Sequence, residues 1–255
     1  MKENIHHKFM ELEEHLLKDE KPSIYINKPE NEGLFADVYP FTMLGALKNV
    51  TQSPVHHPEG NVWVHTLMVV DMAALGRNFS TAPRALMWAA LLHDLGKAHT
   101  TKERKGKITA YDHDRHGARL AAAFLKEFTN DKNFITKVSR MVRWHMQALF
   151  VERQLPFANI PKMLSEVPLE EIALLSLCDR LGRGAMNEHN IRKETDKIRT
   201  FIQKCRQCLD GQKDTPLTPP PELWPIYHEA AIRYQAESNC LSPALQNIIK
   251  LIIYY

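Results

Sequence analysis

The 255-residue sequence contains little glycine, little cysteine and no long uninterrupted apolar run. Its ten glycines, beside frequent Leu, Ala, Met and Lys, favour helices over sheets. The four cysteines, Cys178, Cys205, Cys208 and Cys240, form no disulfide framework, and Cys205 and Cys208 lack the further ligands of a structural zinc. A net charge of +3 is too small to predict a nucleic-acid-binding protein.

The N-terminus is polar and of mixed charge, so we do not expect a signal peptide. Charged residues interrupt every apolar stretch within a turn or two, so we expect no membrane span. Together with the few cysteines, these features predict a cytoplasmic protein. The composition, 44% hydrophobic and 25% charged, is ordinary for a globular domain.

Apolar residues recur at helical spacing along most of the chain, and no segment alternates with period two over strand length. Helices are predicted at 3–19, 61–76, 82–94, 112–128, 132–148, 159–166, 169–181, 187–208, 222–236 and 242–253. Residues 21–60 should be extended with one short helix near 41–48, and 97–109 should be a polar, basic loop. The predicted fold is therefore all-α, with an N-terminal helical and extended segment (1–50) packed on a helical bundle (51–210) and a C-terminal helical extension (211–255).

Thirteen histidines are more than a chain of this size usually carries, and several stand beside acids in apolar segments. The most informative is His93, which with Asp94 ends an apolar helical segment. Burying an imidazole and a carboxylate side by side is costly unless a cation or hydrogen bonds compensate them. Alone, the pair is equally consistent with a buried histidine that donates to a carbonyl. The full set of candidate ligands is His65, His93, Asp94, His113, His145 and Asp179.

Ionisable residues on the core faces of five helices would each need a partner, and convergence on metal supplies all of them together. Imidazole and carboxylate ligands without thiolate suit iron, manganese, nickel and zinc, and magnesium is a further candidate among divalent ions. Six ligands exceed what one hydrolytic metal takes, so we hypothesise two divalent ions bridged by Asp94. Two such ions, about 3.5–4 Å apart, can share a hydroxide in phosphoryl displacement. The first ion is assigned to His65, His93, Asp94 and Asp179, and the second to Asp94, His113 and His145.

The order of His65, His93-Asp94 and Asp179, together with the HDLGK segment at 93–97, resembles the HD-domain phosphohydrolase superfamily, and the further histidines resemble its binuclear branch. Roughly residues 20–205 are most similar to the HD domain of bacterial CCA-adding tRNA nucleotidyltransferases and poly(A)-polymerase-like proteins. The matching segments, in order, are 56–71, 91–101, 113–118, 142–146 and 179–184. The resemblance implies that 51–210 is an HD-domain bundle.

The family's pattern places a metal histidine four residues before the glycine of a Gly-Ala pair. This selects His113, before Gly117, and leaves His116 to line the pocket. CCA-adding enzymes also carry an N-terminal head with a Gly-rich loop and an Asp-x-Asp pair, and residues 1–60 offer neither. We therefore expect hydrolysis rather than nucleotide addition.

The candidate catalytic residues are Asp94, Lys97 and Arg183, and the candidate substrate-binding residues are Lys97, Arg180, Arg183 and His116. Lys97 is expected to contact phosphate or to pair with Asp94. Arg180 and Arg183 follow a predicted ligand closely, and an arginine fork binds phosphate bidentately, although structural salt bridging suits Arg180 as well. Arg143 lines the pocket or lies on a helix surface, and Glu59 and His57 are candidates to orient ligands.

The resemblance implies a metal-dependent phosphohydrolase that uses a bridging metal hydroxide on a nucleotide or an RNA-end phosphoester. The first activities to consider are 2′,3′-cyclic phosphodiesterase, 2′-nucleotidase and phosphatase. Three alternatives stay open: a dinucleoside polyphosphate hydrolase, a di-iron oxygenase, and a non-catalytic RNA- or partner-binding remnant of a tRNA nucleotidyltransferase. The sequence carries no signal of oligomeric state.

Overall fold

The computed structural model describes residues 2–184 and 186–210. In these ranges the chain forms thirteen α-helices and one two-stranded sheet. The helices are α1 (Lys2–Lys18), α2 (Pro22–Ile26), α3 (Glu32–Asp37), α4 (Thr42–Gly45), α5 (Val62–Gly76), α6 (Pro83–Leu92), α7 (Lys97–Thr100), α8 (His113–Lys126), α9 (Lys132–Trp144), α10 (Gln147–Glu152), α11 (Ile160–Leu164), α12 (Leu169–Leu181) and α13 (Glu188–Asp210), and the strands are β1 (Thr101–Arg104) and β2 (Lys107–Ala110). The predicted extension at 211–255, its two helices and Cys240 lie outside the described residues.

The all-α class is confirmed, and most long helices begin and end within two residues of the prediction. The single helix predicted at 132–148 is wrong, because α9 ends at Trp144 and α10 begins at Gln147. His145 and Met146 lie in the break between them. The break matters for function because it places a predicted ligand at a helix end rather than inside a helix.

The loop predicted at 97–109 is also wrong, since this segment forms α7 and the β1–β2 hairpin. The strands pair antiparallel, from Thr101 opposite Ala110 to Arg104 opposite Lys107. Between them, Lys105 (φ 50°) and Gly106 (φ 70°) both take left-handed backbone conformations. Two consecutive positive φ angles match the right-handed twist of a tight hairpin, so this turn closes strands too short to show a period in the sequence.

The segment 21–60 is more helical than predicted, because it contains α2 and α3 as well as the expected short helix. That short helix is α4, which continues as a 3-10 helix through Asn49. Helices of four to six residues are not stable by propensity alone. Here each one buries an anchor in the core: Ile26, Phe35 and Leu44.

The core lies around α6, whose side chains from Ala85 to Leu92 are all buried. Helices α1, α5, α9 and α12 pack against α6, and Phe9 of α1 stacks on Trp88 with ring centroids 4.6 Å apart. Asn61 caps α5 by accepting a hydrogen bond from the Val64 amide at 3.0 Å. Because α6 is buried, its C-terminal end places His93 and Asp94 at the centre of the bundle.

Within the described residues, no helix is both long and apolar enough to cross a membrane.

Candidate metal centre

The six predicted ligands lie together in the centre of the bundle, although they come from distant parts of the chain. His65 is on α5, His93 and Asp94 follow α6, His113 begins α8, His145 follows α9 and Asp179 is on α12. All but Asp179 are buried, and Asp179 is half-buried at the wall of a cavity. Four of the six therefore lie at helix ends, where the chain can turn a polar side chain inward.

Each of the four imidazoles directs its Nδ1 atom at a backbone carbonyl. The acceptors lie 2.6–2.9 Å away and are Gly182 for His65, Ala90 for His93, Ala110 for His113 and Val142 for His145. An Nδ1–H that donates to a carbonyl fixes the tautomer and leaves the lone pair on Nε2. All four rings are thus oriented with Nε2 toward the centre; Nε2 of His65 donates to Asp179 when no cation is bound, and it becomes a metal ligand once that proton leaves.

The Asp94 carboxylate presents one oxygen to each of two ligand groups. Its Oδ2 atom lies 3.2 Å from Nε2 of His93 and 3.9 Å from Nε2 of His65. Its Oδ1 atom lies 3.6 Å from Nε2 of His113 and 3.8 Å from Nε2 of His145. Both oxygens are buried; Oδ1 accepts no hydrogen bond, and Oδ2 is paired with the Lys97 ammonium at 2.7 Å, so the carboxylate is oriented for cations on two sides.

The pair of His113 and His145 argues for a cation on the Oδ1 side. Their Nε2 atoms are 3.2 Å apart, and with both Nδ1 atoms protonated, two lone pairs face each other. Burial lowers the pKa of His145 to about 4, so this imidazole is neutral at pH 7. Two neutral nitrogens at this distance repel unless a proton or a metal ion lies between them. The donor set therefore fits a divalent transition metal.

The other group consists of His65, His93 and Asp179, whose ligand atoms lie within 4.8 Å of one another. The Oδ1 atom of Asp179 lies 3.0 Å from Nε2 of His65. Burial works to raise the pKa of Asp179, but the hydrogen bond with His65 and the charge of Arg183 outweigh it and hold the pKa well below its usual range. Asp179 is thus an anionic ligand at neutral pH.

Gly96 explains the close approach of the two ligand-bearing segments. A Cβ atom at this position would lie 2.0 Å from the carbonyl oxygen of His113. Only glycine allows the turn after Asp94 to pack directly on the start of α8. Gly96, the glycine of the HDLGK segment, therefore allows His113 to lie beside the Asp94 carboxylate.

Glu59 lies in the segment before α5, on the side of His65 that faces away from the other metal ligands. Its Oε1 atom accepts from Nδ1 of His57 at 2.9 Å and lies 3.1 Å from Nδ1 of His65, and its Oε2 atom accepts from the Gly184 amide at 3.1 Å. His57, Glu59 and His65 also form a group compact enough for a metal. Because both imidazoles direct Nδ1 at one oxygen, we interpret this group as a hydrogen-bonded support for His65, the orienting role expected from the sequence.

Lys97 and Arg183 lie at the cavity beside the ligands. The Lys97 Nζ atom is 2.7 Å from Oδ2 of Asp94 and 2.8 Å from Oε1 of Gln52, so the lysine pairs with Asp94 and lines the cavity as well. Nothing in the sequence pointed to Gln52. The Arg183 Nη2 atom is 4.0 Å from Asp179, and its buried Nε atom has no hydrogen-bond partner.

Arg180 and His116, two of the predicted substrate-binding residues, differ in their position relative to the cavity. Arg180 is buried and its guanidinium pairs with Glu152 at 2.6 Å and Glu194 at 2.5 Å. Arg180 thus forms the structural salt bridge expected as the alternative, but it also lines the cavity, so substrate binding by Arg180 stays a prediction. His116 is outside the cavity lining, and its ring contacts that of His99 with centroids 5.3 Å apart, so the prediction that it lines the pocket is not supported.

Arg143 has a structural contact that the sequence left open. Its Nη1 atom donates to the buried carboxylate of Asp114, and its guanidinium lies over the Trp144 ring, 4.4 Å from the centroid. Asp114 follows His113 in α8, and Arg143 precedes His145 at the end of α9. This ion pair therefore links the helix ends that carry two of the ligands.

The cavity above the ligands has a volume of about 690 Å³. Its wall includes Asp94, Lys97, His113, His145 and Asp179, so the two ligand groups are open to it. The space is far larger than a phosphate group needs and falls in the range of cavities that hold small-molecule ligands. The ligand cluster is thus accessible to a substrate of nucleotide size.

Comparison with known proteins agrees with this geometry. The family described as "HD domain" matches residues 62–184. A Multifunctional CCA protein of Halorhodospira halophila is 32% identical over 168 residues, which are 63% of this chain and 39% of that protein. A Multifunctional CCA protein of Pseudomonas fluorescens strain SBW25 is 33% identical over 198 residues, which are 75% of this chain and 46% of that protein. The chain thus spans less than half the length of these relatives.

Proposed function

Residues 62–184 belong to the HD domain family, and from this premise we propose that the protein is a two-metal phosphohydrolase that acts on a nucleotide or RNA-end phosphoester. A 2′,3′-cyclic phosphate is the first substrate of choice. The name of the relatives, Multifunctional CCA protein, supports a substrate at the end of an RNA chain.

The orientation of Asp94 is the observation that carries the proposal. Its two oxygens face different histidine groups; Oδ1 accepts no hydrogen bond, and Oδ2 is paired with the Lys97 ammonium. A purely structural carboxylate in a helical core would be expected to be satisfied by donors. A carboxylate shared by two cations accounts for both oxygens at once.

The residues fit two divalent ions. His65, His93, Asp94 and Asp179 would hold one ion, and Asp94, His113 and His145 would hold the other. Bound there, the ions supply a lowered pKa for a coordinated water and neutralise charge on the phosphoryl oxygens. The remaining steps fall to the protein's own side chains.

Lys97 places a positive charge at the edge of the ligand cluster. Gln52 and Asp94 each lie within 2.8 Å of its Nζ atom, so the ammonium is held in place before substrate binds. A fixed cation needs little reorganisation as charge develops on the phosphoryl group. Lys97 therefore binds a non-bridging phosphate oxygen and stabilises the transition state.

Arg183 provides a second, differently shaped contact. Its side chain is 29% exposed and has a free Nε donor. A guanidinium fork binds two phosphate oxygens in parallel. Arg183 therefore orients the phosphoryl group so that the scissile bond faces the metal ligands.

The test is metal analysis of the purified protein followed by turnover of a phosphoester panel under air and under nitrogen. The panel contains 2′,3′-cyclic nucleotides, 2′- and 3′-nucleotides and dinucleoside polyphosphates, each assayed with manganese, nickel, iron, zinc and magnesium. We expect hydrolysis of the cyclic nucleotides, equal in both atmospheres, and a loss of about 100-fold in kcat for Lys97→Gln. Lys126→Gln, at an exposed position on α8, is the matched control.

Each rival has its own outcome in this assay. Preferred cleavage of a dinucleoside polyphosphate would change the substrate class. Dependence on oxygen would identify an oxygenase. Metal-loaded protein without turnover on any ester would contradict the hydrolase and favour a binding module.

A further inference from the structure

We propose that the cavity contains a second subsite, formed by Phe150, Arg153 and Phe157, that binds the base and the adjoining backbone of a nucleotide. The inference rests on the proposed function and deepens it, because it assigns the side chains that recognise the base of the substrate. Small phosphoesters without a base would then be poor substrates.

The subsite lies on a wall of the cavity that carries no metal ligand. This wall is formed by α10 and the turn after it, and the residues of this segment that line the cavity are Ala148, Leu149, Phe150, Glu152, Arg153, Leu155 and Phe157. Its surface is mainly apolar, whereas the ligand wall is charged. A phosphate group makes no favourable contacts with an apolar wall, so the cavity suits a ligand that has one polar and one apolar end.

An exposed aromatic ring is the main feature of this wall. The Phe157 side chain is 58% exposed. Among the strongly exposed large hydrophobic residues of the described chain, three are aromatic, and two of these, Tyr111 and Phe157, line the cavity. The Arg104 guanidinium already lies over the Tyr111 ring at 5.3 Å. Phe157 is therefore the better platform for stacking.

The Phe157 ring is presented by a well-anchored turn. The buried Gln147 amide donates from Nε2 to the Phe157 carbonyl at 3.3 Å and accepts from the Asn159 amide at 2.8 Å. The Leu155 amide donates to the Phe150 carbonyl at 2.8 Å. Gln147 is only two residues beyond His145, so the turn is tied to the metal centre and Phe157 is kept at the solvent-facing wall.

Phe150 supports the platform from the side. Its ring centroid is 5.6 Å from that of Phe157, with planes tilted by 60°. At this tilt the two rings are not stacked face to face on each other. Base stacking on exposed aromatic rings is the usual way in which proteins hold single-stranded nucleotides.

Arg153 supplies the charge of the subsite. Of the lysines and arginines that line the cavity, it is the one without a carboxylate partner in the part of the chain that the structure describes. Its neighbour in the turn, Gln154, has a left-handed backbone conformation (φ 51°). An unpaired arginine beside a stacking ring matches a phosphodiester next to a base.

Two cyclic phosphates that differ only in the base provide the test. Hydrolysis of adenosine 2′,3′-cyclic phosphate and of base-free ribose 2′,3′-cyclic phosphate is followed by 31P nuclear magnetic resonance. We expect Phe157→Ala to lower kcat/KM by roughly tenfold more for the adenosine compound than for the ribose compound. Ile24→Ala, at a 65% exposed position on α2, is the control and should leave both values unchanged.

The outcomes separate this inference from the proposed function. Equal kcat/KM of the wild type for both compounds, or equal losses in Phe157→Ala, would overturn the subsite and leave the hydrolase intact. If the wild type hydrolyses neither compound, the proposed cyclic-phosphate substrate fails, and binding of adenosine monophosphate is measured by calorimetry instead. Binding that Phe157→Ala weakens would then uphold the subsite, and absence of binding, or binding that this substitution leaves unchanged, would overturn it.

Discussion

Replacing Glu59 by glutamine tests whether the support behind His65 controls metal binding. The carboxylate accepts from the His57 imidazole and the Gly184 amide, and it shares the Nδ1–H of His65 with the Gly182 carbonyl. Burial works to raise the pKa of Glu59, but the hydrogen bonds with His57 and His65 outweigh it, so that the pKa lies well below its usual range. Glu59 is therefore anionic and strengthens the basicity of His65.

The magnitude follows from the geometry. A glutamine that keeps its oxygen toward the histidines points its NH₂ group at the Gly184 N–H, and the flipped glutamine points it at the two Nδ1–H groups. Either orientation loses hydrogen bonds and sets donor against donor, at a cost of about 1–3 kcal/mol in the free energy of unfolding. Loss of such a histidine partner typically lowers metal affinity about 10- to 100-fold. We expect calorimetric titration of metal-stripped protein with manganese to show this loss for Glu59→Gln.

Glu171→Gln is the matched control for this experiment. Glu171 is buried on α12, the helix that carries Asp179, and its carboxylate accepts from the amide and hydroxyl of Thr81 and the hydroxyl of Ser80. It makes its hydrogen bonds with Ser80 and Thr81 and not with the candidate metal ligands, so its substitution should lower the free energy of unfolding without changing manganese affinity. Unchanged affinity in Glu59→Gln, or an equal loss in both variants, would refute the reasoning.

Three further predictions concern packing, thiol chemistry and acid stability. Gly96→Ala should lower the free energy of unfolding by about 3 kcal/mol or more, because its Cβ would meet backbone at 2.0 Å, and urea denaturation measures this. Iodoacetamide should label exposed Cys208 well before Cys205, since burial raises the pKa of the Cys205 thiol to about 12, and peptide mass spectrometry reads the order. Burial works to raise the pKa of Glu194, but its ion pairs with Arg180 and a neighbouring lysine hold it below 4.5, so its stabilising contribution is present above that pH and lost below it. The difference in Tm between wild type and Glu194→Gln should therefore shrink as the pH falls from 7 to below 4.5.

The candidate ligand set could be named from the sequence because buried ionisable residues in apolar helices need partners. His93 and Asp94 after a buried helix, and Asp179 within another, were informative for this reason. The structure adds two features that residue spacing does not contain. Each of the four candidate metal histidines has a carbonyl acceptor for its Nδ1 atom, and the two Asp94 oxygens face opposite ligand groups. The Gly182 carbonyl that orients His65 is 117 residues away in the chain, so only the folded structure could show it.

The differences between the predicted and the observed structure also have physical causes. The hairpin at 101–110 is polar and its strands have four residues each, so its tight Lys105-Gly106 turn is the only local signal. Arg180 was a candidate phosphate ligand because it follows Asp179, and the sequence could not show that its ion-pair partners Glu152 and Glu194 come from other helices. Tertiary contacts of this type decide the role of a charged side chain, and they leave no periodic trace in the sequence.

The number of metal ions bound per chain tests the central claim most directly. Wild-type protein and Asp94→Ala are dialysed against the same manganese solution, and bound metal is measured by inductively coupled plasma mass spectrometry. Because the two oxygens of Asp94 face both ligand groups, we predict two ions per wild-type chain and close to none in the variant. A variant that keeps both ions would contradict the bridge, and a single ion in the wild type would contradict the two-metal centre.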